Sequence, residues 1–457
     1  MKTYTLSLFI FFNTVLVFGQ RVAMADIDSV KSEGKFNKAE QKTGKWKYYY
    51  NNGNLKYIGK YKNGQLQGKW IGYYDNGQVE IISNYKNGKR QGLSREYHKN
   101  GQLSGTGKYE NDLETGKWEG FHENGKLQNV GIFSNGKPEG EWKRFYDNGQ
   151  PETIGLYVDG KHTGVWTAYF NNGKIDKTGN YDKSLEVGLW TYYYDTGQLK
   201  ANINFLDAKW DGEYTFYRPS GKIEVVGQYK NGKKVGEWKN FNENDVLILV
   251  GSYDNDLETG EWKKFYDNGQ PFFTGVRKEG KKTGEWKFYH ENGQLKSVGK
   301  YADDLATGEW KAYYINGQLK NIGSYLAGKT IGKWERFYEN GNPKAIGNLE
   351  NAKENGLWKI YHENGKLYYS GKFVDGFGNG EWKWYNDAGK LVKISNYTDG
   401  KKVGIWKWYN PKNKKLIQLD NYDTKVRTYY NEKGKIIKKV STDEPMQDDD
   451  IEPKNQN

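Results

Sequence analysis

A chain of 457 residues could hold two or three ordinary domains, but 58 Gly, 38 Tyr and 17 Trp in a strongly polar sequence exclude one large conventional core. An aromatic content of 16% excludes wholesale disorder, and the absence of cysteine excludes disulfide staples, thiol catalysis and lipid-modified cysteine. The formal charge of +13 is uneven: without Lys2 and the tail from Ser441 to Asn457, which has six acids against Lys454, residues 21–440 hold about +17. Such a body suits anionic lipid head groups, acidic glycans or an acidic protein; lysines spread over solvent faces and strand edges also keep a long sheet soluble.

The chain begins with Lys2 ahead of an apolar run from Leu6 to Phe18, too short and too early for a spanning helix. Residues 1–19 read as a secretory signal peptide, cleaved after Gly19 or after Ala25, with Arg21 favouring the first. An uncleaved anchor is the alternative, with no later apolar run to set against it. The expected location is the periplasm, cell envelope or extracellular space. Residues 20–43 follow as an N-terminal cap and partial repeat.

From residue 44 to residue 440 the sequence repeats itself. Trp stands at 46, 70, 118, 142, 166, 190, 238, 262, 286, 310, 334, 358, 382 and 406, and Ser94 and Tyr214 fill the two empty slots of this 24-residue lattice. All 16 slots have Gly two residues before and an aromatic three residues after. The expected fold is all-β: an elongated antiparallel β-hairpin array of about 16 repeats of 24 residues. At two strands per repeat it would advance roughly 9.6 Å each time and reach on the order of 150 Å.

Within the unit WKFYHENGQLKSVGKY, Asn292-Gly293 separates two strand-like runs, and 11 units carry Asn-Gly there. A two-residue turn would put Trp286 opposite Gly299, a bare backbone for the indole to cover. It would also place Trp and its fourth neighbour on one face with Leu295, and the third-neighbour aromatic on the other with Val298. The return loop, as in Tyr61 to Trp70, has two glycines to reverse the chain. Both faces are then partly apolar, so the aromatics are either core or an exposed binding stripe.

Candidate chemistry is absorbed by the period. His98, His122, His290 and His362 sit four residues after a slot, and those in adjacent units would lie about 10 Å apart, too far to share a metal. Glu141, Glu237, Glu261, Glu285, Glu309 and Glu381 recur before Trp and read as cross-strand partners of Lys rather than general acids. The stretch Lys200 to Tyr214 breaks the pattern, and its extra Trp210 is the candidate partner-binding residue. Gly323 to Thr330 matches the phosphate-loop string G-x-x-x-x-G-K-T, but its glycines are repeat positions and a following Trp334 leaves no room for the required helix. No catalytic, cofactor or metal residue is nominated. The hairpin from Tyr429 to Val440 and the segment Val22 to Phe36 are candidate end caps, and residues 441–457 read as an acidic disordered tail.

The pattern Tyr-x-x-Gly-x-x-x-Gly-x-Trp, as in Tyr61 to Trp70, Tyr229 to Trp238 and Tyr325 to Trp334, resembles the MORN repeat. With its W-x-x-Y and N-G, the 24-residue unit is similar to the bacterial MORN-repeat variant, often labelled antitoxin-like. The resemblance covers Gly34 to Gly434, with departures at Ser94, Arg277, Leu349 and Asn244-Asp245. It implies a non-catalytic scaffold for proteins or membranes and carries over no catalytic residue. The expected function is therefore non-enzymatic binding of a protein or anionic cell-surface polymer, with membrane-surface contact allowed, and without nucleic acid, cofactor or small-molecule substrate. An antitoxin-like immunity role and carbohydrate binding are the alternatives.

Overall fold

A computed structural model describes residues 31–441. The signal peptide with its cleavage points, the Val22 to Val30 part of the N-terminal cap, and the acidic tail past Ser441 lie outside the described residues. Among the described residues there are 37 strands and no helix. The chain forms two compact units, one running to Ile223 with Tyr229–Gly232, the other comprising Glu224–Gln228 and everything from Lys233. Each is built from antiparallel hairpins joined in chain order.

One repeat of the second unit shows the rule. Lys281–Tyr289 pairs with Leu295–Ala302, and Trp286 stands opposite Gly299 as the spacing requires. The turn between them differs from the expected one. His290 N–H donates to the Gln294 carbonyl and Gly293 N–H to the His290 carbonyl, both at 2.8 Å, which closes three residues rather than two. Only Gly293 is left-handed there, at φ +85°, so Asn292 does not form the primed turn. A bulge between Phe288 and Tyr289 then adds the residue that restores the Trp–Gly register. Leu295 consequently pairs with Tyr289, on the face away from Trp286 rather than beside it.

The primed two-residue turn lies at the other end of the unit, in the return loop. Ala302 pairs with Leu305, and Asp303 and Asp304 are both left-handed, at φ 48° and 67°. Beyond it the register slips by two residues as Lys300 pairs with Thr307 but Val298 with Lys311. Gly308, at φ +66°, sits in this wide bulge two residues before Trp310, which explains why that glycine recurs in all 16 repeats.

The bulge carries Trp310 over the preceding repeat. A Cβ added to Gly299 would lie 2.1 Å from Cδ2 of Trp310, so the glycine opposite Trp286 is covered by the next repeat's indole rather than by its register partner. Trp310 Nε1 donates to the Lys300 carbonyl beside it at 3.2 Å. Rings from successive strands then interlock edge to face: Trp286 to Tyr301 at 6.0 Å, Tyr301 to Trp310 at 5.1 Å, Trp310 to Tyr325 at 6.0 Å and Tyr325 to Trp334 at 5.4 Å. Trp118, Trp190, Trp286, Trp382 and Trp406 are fully buried in this ladder, which is the core of each unit.

Departures from the repeat are repaired in place. Where Ser94 replaces Trp, the glycine beneath is Ser83, and the two hydroxyls hydrogen-bond at 2.7 Å, buried. Tyr214 is matched with Ile203, which is 1% exposed. Arg277 stands for the intervening Tyr, its guanidinium 5.9 Å from the Trp262 ring and 5.7 Å from that of Trp286. Leu349 does the same by simple burial between Trp334 and Trp358. At the start, Ser32–Phe36 adds a strand that lays Gly34 under Trp46.

Candidate binding face

Side chains alternate along a strand, so the residues flanking each Trp face away from the ring ladder. The aromatic three residues after each slot belongs to that opposite face. From Tyr49 to Tyr409 it is half-buried in all 16 repeats, 11 times as Tyr and 5 times as Phe. A β-branched row runs beside it: Val298 stands between Lys287 and Lys311, and Ile322 between Lys311 and Glu335. Strand spacing places successive aromatics about 9.6 Å apart.

Charge on this face is paired along each strand. Glu285 meets Lys287 at 3.0 Å, Glu309 meets Lys311 at 3.0 Å, Glu237 meets Lys239 at 2.6 Å and Glu141 meets Lys143 at 2.7 Å. Pairing within the strand replaces the cross-strand pairing expected for most of the recurring glutamates because the Lys two residues on shares the same face; the register neighbour is Ser324 for Glu309 and Leu156 for Glu141, and only Glu285 of these four stands opposite a lysine, Lys300. Hydrogen bonding to Glu285 holds the Lys287 ammonium above its ordinary pKa. Exposed pairs contribute little stability singly; as a lattice they leave a face of alternating charge.

The position just before the slot, usually Glu or Lys, and the one opposite it change chemistry in places: Val165 and Leu189 at the first and Ile132 and Leu156 at the second are exposed in the first unit, as Leu357 and Ile405 are in the second. Gly116, Lys117, Val130, Gly131, Ile132, Glu141 and Lys143 outline a groove of about 360 Å³.

The other residues singled out in the sequence make the following contacts. Trp210 is half-buried, stacked on Tyr214 at 5.6 Å and edge-on to Tyr229 at 4.8 Å, filling space beside the slot that lacks its Trp. Four histidines staple neighbouring repeats: the Nε2 atoms of His98, His122, His290 and His362 lie 2.9, 2.8, 3.1 and 3.0 Å from the carbonyls of Phe121, Phe145, Tyr313 and Tyr385. Tyr314 makes the same link through its hydroxyl, donating to the Phe337 carbonyl at 2.8 Å, which explains why Tyr and His interchange there. The fifth histidine, His162, lies among Tyr157, Trp166 and Tyr181. Gly323 to Thr330 is strand, turn and strand, with Gly323 under Trp334. Among the described residues no three His, Asp or Glu side chains converge as a metal site.

The repeat's asparagine does work that its turn reading missed. Asn316 Oδ1 accepts from Gln318 N–H at 2.9 Å, and its Nδ2 donates to the Glu339 carbonyl of the next turn at 3.1 Å. A repetition of Asn at 24-residue spacing was the available signal.

The family described as MORN repeat variant matches residues 42–63, 66–87, 90–111, 114–135, 138–159, 163–183, 186–207, 210–231, 258–277, 282–303, 306–327, 331–351, 354–375 and 379–399, about two thirds of the chain. Comparison with curated proteins gives no match. Solved structures with some similarity include TcdB2-TccC3-TEV, at 12% identity over 82% of this chain and 23% of that chain, with a TM-score of 0.15. Another is the alternansucrase complex with isomaltononaose, at 16% identity over 82% of this chain and 23% of that one, with a TM-score of 0.17. The chain thus spans about a quarter of the length of each. Likeness at that level carries no inference about fold or function.

Proposed function

The chain belongs to the MORN repeat variant family, and from that premise we propose that it is an exported, non-enzymatic scaffold binding a protein or an anionic cell-surface polymer along the face opposite its Trp ladder. One observation carries the reading: a half-exposed aromatic returns once per repeat on that face, flanked by paired charges. Each such contact is weak, and the stacked repeats within a unit add them, so affinity grows with the number of repeats engaged. The basic excess of the repeat body favours an acidic partner.

Capture of partners from envelope extract, followed by mass spectrometry, tests this. Alanine at Tyr289 alone should weaken capture slightly, and alanine at Tyr289, Tyr313 and Tyr361 together should weaken it steeply. Unchanged capture by the triple variant would remove the face from consideration. The same tyrosines are flat enough to receive sugar rings, so binding on a glycan array without protein capture would move the assignment to carbohydrate.

A further inference from the structure

We propose that three exposed Asn-Gly pairs in return loops of the first unit, at Asn87, Asn135 and above all Asn231, are sites of spontaneous covalent modification, where the side-chain amide is lost and a carboxylate takes its place. This inference concerns the reversals between repeats and does not rest on the function proposed above.

The chemistry needs only the chain and water. The backbone nitrogen of Gly232 attacks Cγ of Asn231, and the new C–N bond closes a five-membered imide. The Cγ–Nδ2 bond breaks, and Nδ2 leaves as ammonia with the proton that the backbone nitrogen gives up. Water then opens the ring at either carbonyl, giving aspartate or the isomer whose main chain runs through Cγ. Glycine favours the first step because no Cβ shields its nitrogen, and attack within one dipeptide needs no encounter.

The fold sorts these dipeptides into groups. In the 11 hairpin turns that carry Asn-Gly, the Asn Oδ1 accepts from the N–H two residues on. In all but that of Asn52, the Nδ2 also donates to a carbonyl of the next turn. Turning the amide toward the glycine nitrogen breaks both bonds. Asn355 and Asn379, which precede bulge glycines, donate to Glu350 and Asp399. Among the return loops, Asn63 keeps a 3.5 Å contact with Asn37 Nδ2. The exposed amides of Asn87, Asn135 and Asn231 have no hydrogen bond among the described residues. The glycine N–H is bonded in both groups, Gly293 to the His290 carbonyl and Gly232 to that of Trp210, so the side chain makes the difference.

The product is already present in another repeat. Asp159-Gly160 holds the same place as Asn231-Gly232, with φ 50° and 78° in both pairs. In each the backbone N–H donates to a carboxylate 20 residues earlier, from Asp159 to Glu139 at 2.9 Å and from Asn231 to Asp211 at 3.0 Å. Lys137 completes the site by pairing with Asp159 at 2.5 Å, and Lys209 is the corresponding residue for Asn231. The loop therefore accepts aspartate without rearrangement, and Lys209 supplies a cation for the charge that develops on the amide oxygen during attack. Gln65 and Leu113 hold that position for Asn87 and Asn135, which places Asn231 first.

Incubation of the full chain at mildly alkaline pH, followed by peptide mapping with mass spectrometry, reads the exchange of NH for O at each site. Two hydrogen bonds of ordinary net strength should hold the hairpin asparagines about 10- to 100-fold behind Asn231, with Asn52 in between. Lys209→Gln installs the side chain that Gln65 already has in the first repeat. It should slow conversion at Asn231 by about 2- to 5-fold and leave Asn87 unchanged. In urea the groups should convert at one rate, since only the fold separates them. Hairpin asparagines that convert as fast as Asn231 in the folded chain, an order that persists in urea, or a Lys209→Gln chain whose Asn231 converts at the parent rate overturns the proposal.

Discussion

At the scale of single residues, the pairing of a bare backbone with an indole is the most stringent feature of this chain. Gly299→Ala would drive a methyl into Trp310 and should destabilise the second unit by about 1–3 kcal/mol, read from denaturant unfolding of the variant. A loss below a few tenths would show that the ring moves aside freely. Ser395 marks how such a site adapts, since it lies buried at the glycine position and accepts a 2.8 Å hydrogen bond from Trp384 Nε1. The Ser83–Ser94 pair offers the reciprocal test: Ser94→Trp should destabilise, and adding Ser83→Gly should reverse most of that loss, whereas additive effects would deny the coupling. His162 adds a pH signature. Burial lowers its pKa from the ordinary 6.5, so the fold favours the neutral ring. Below that value the unfolded chain takes a proton that the folded chain refuses, and stability should fall as pH drops from 6.5 toward the depressed value while staying flat above it. Burial raises the Glu186 carboxyl, which works in the opposite sense, so the comparison is between the parent and His162→Phe across mildly acidic pH. Equal acid sensitivity in the two would exclude His162 as the source.

At the scale of the repeat, the spacing of Trp, Gly and aromatic was enough to derive hairpins, their register and an all-β fold. It did not show which end of the hairpin takes which turn. Asn292-Gly293 and Asn63-Gly64 are the same dipeptide, yet the first closes a three-residue turn and the second a primed two-residue turn, with Asn63 at φ 49° and Gly64 at 77°. The deciding influence is tertiary: Asn292 bonds forward to its neighbour's turn and Asn63 spends its conformational freedom on the reversal itself. The glutamates were misread as cross-strand partners for a related reason, because two unseen bulges set which side chains share a face. Hydrogen-bond deletion at Asn316 separates its two roles. Asn316→Asp keeps the acceptor and should cost about 0.5–1 kcal/mol, and Asn316→Ala loses both bonds and should cost about twice that, with hydrogen exchange faster at the turns of Gly317 and Gly341. Equal costs would mean that the link to Glu339 is idle. The candidate face was legible as an aromatic row on the side remote from Trp, but Leu295 was assigned to the wrong side because the bulge beside Tyr289 is invisible in the spacing.

At the scale of the whole molecule, the series of Trp over glycine stops after Trp406, and at that stop the buried position is filled by an ion pair. Asp420 occupies the glycine register opposite Trp406, and no further Trp follows to cover it. The carboxylate is fully buried and accepts from Arg427 Nε at 2.8 Å and Nη2 at 2.7 Å, with Gln418 Nε2 a third donor at 3.1 Å. Hydrogen bonding to the Asp420 carboxylate holds the Arg427 guanidinium well above its ordinary pKa. Removing one partner leaves the other poorly compensated, and Asp420→Ala should cost about 3–5 kcal/mol. Contacts in such an array run mainly between adjacent repeats, so the damage should stay local. Hydrogen exchange should accelerate in Leu416–Asn421, Val426–Tyr430 and Ile436–Ser441 while Lys281–Tyr289 keeps its protection. An apolar pair, Asp420→Leu with Arg427→Met, should restore much of the lost protection because it needs no counter-charge. Loss of protection spread evenly through the second unit would instead make that unit a single cooperative body and would remove nearest-neighbour additivity as its organising principle.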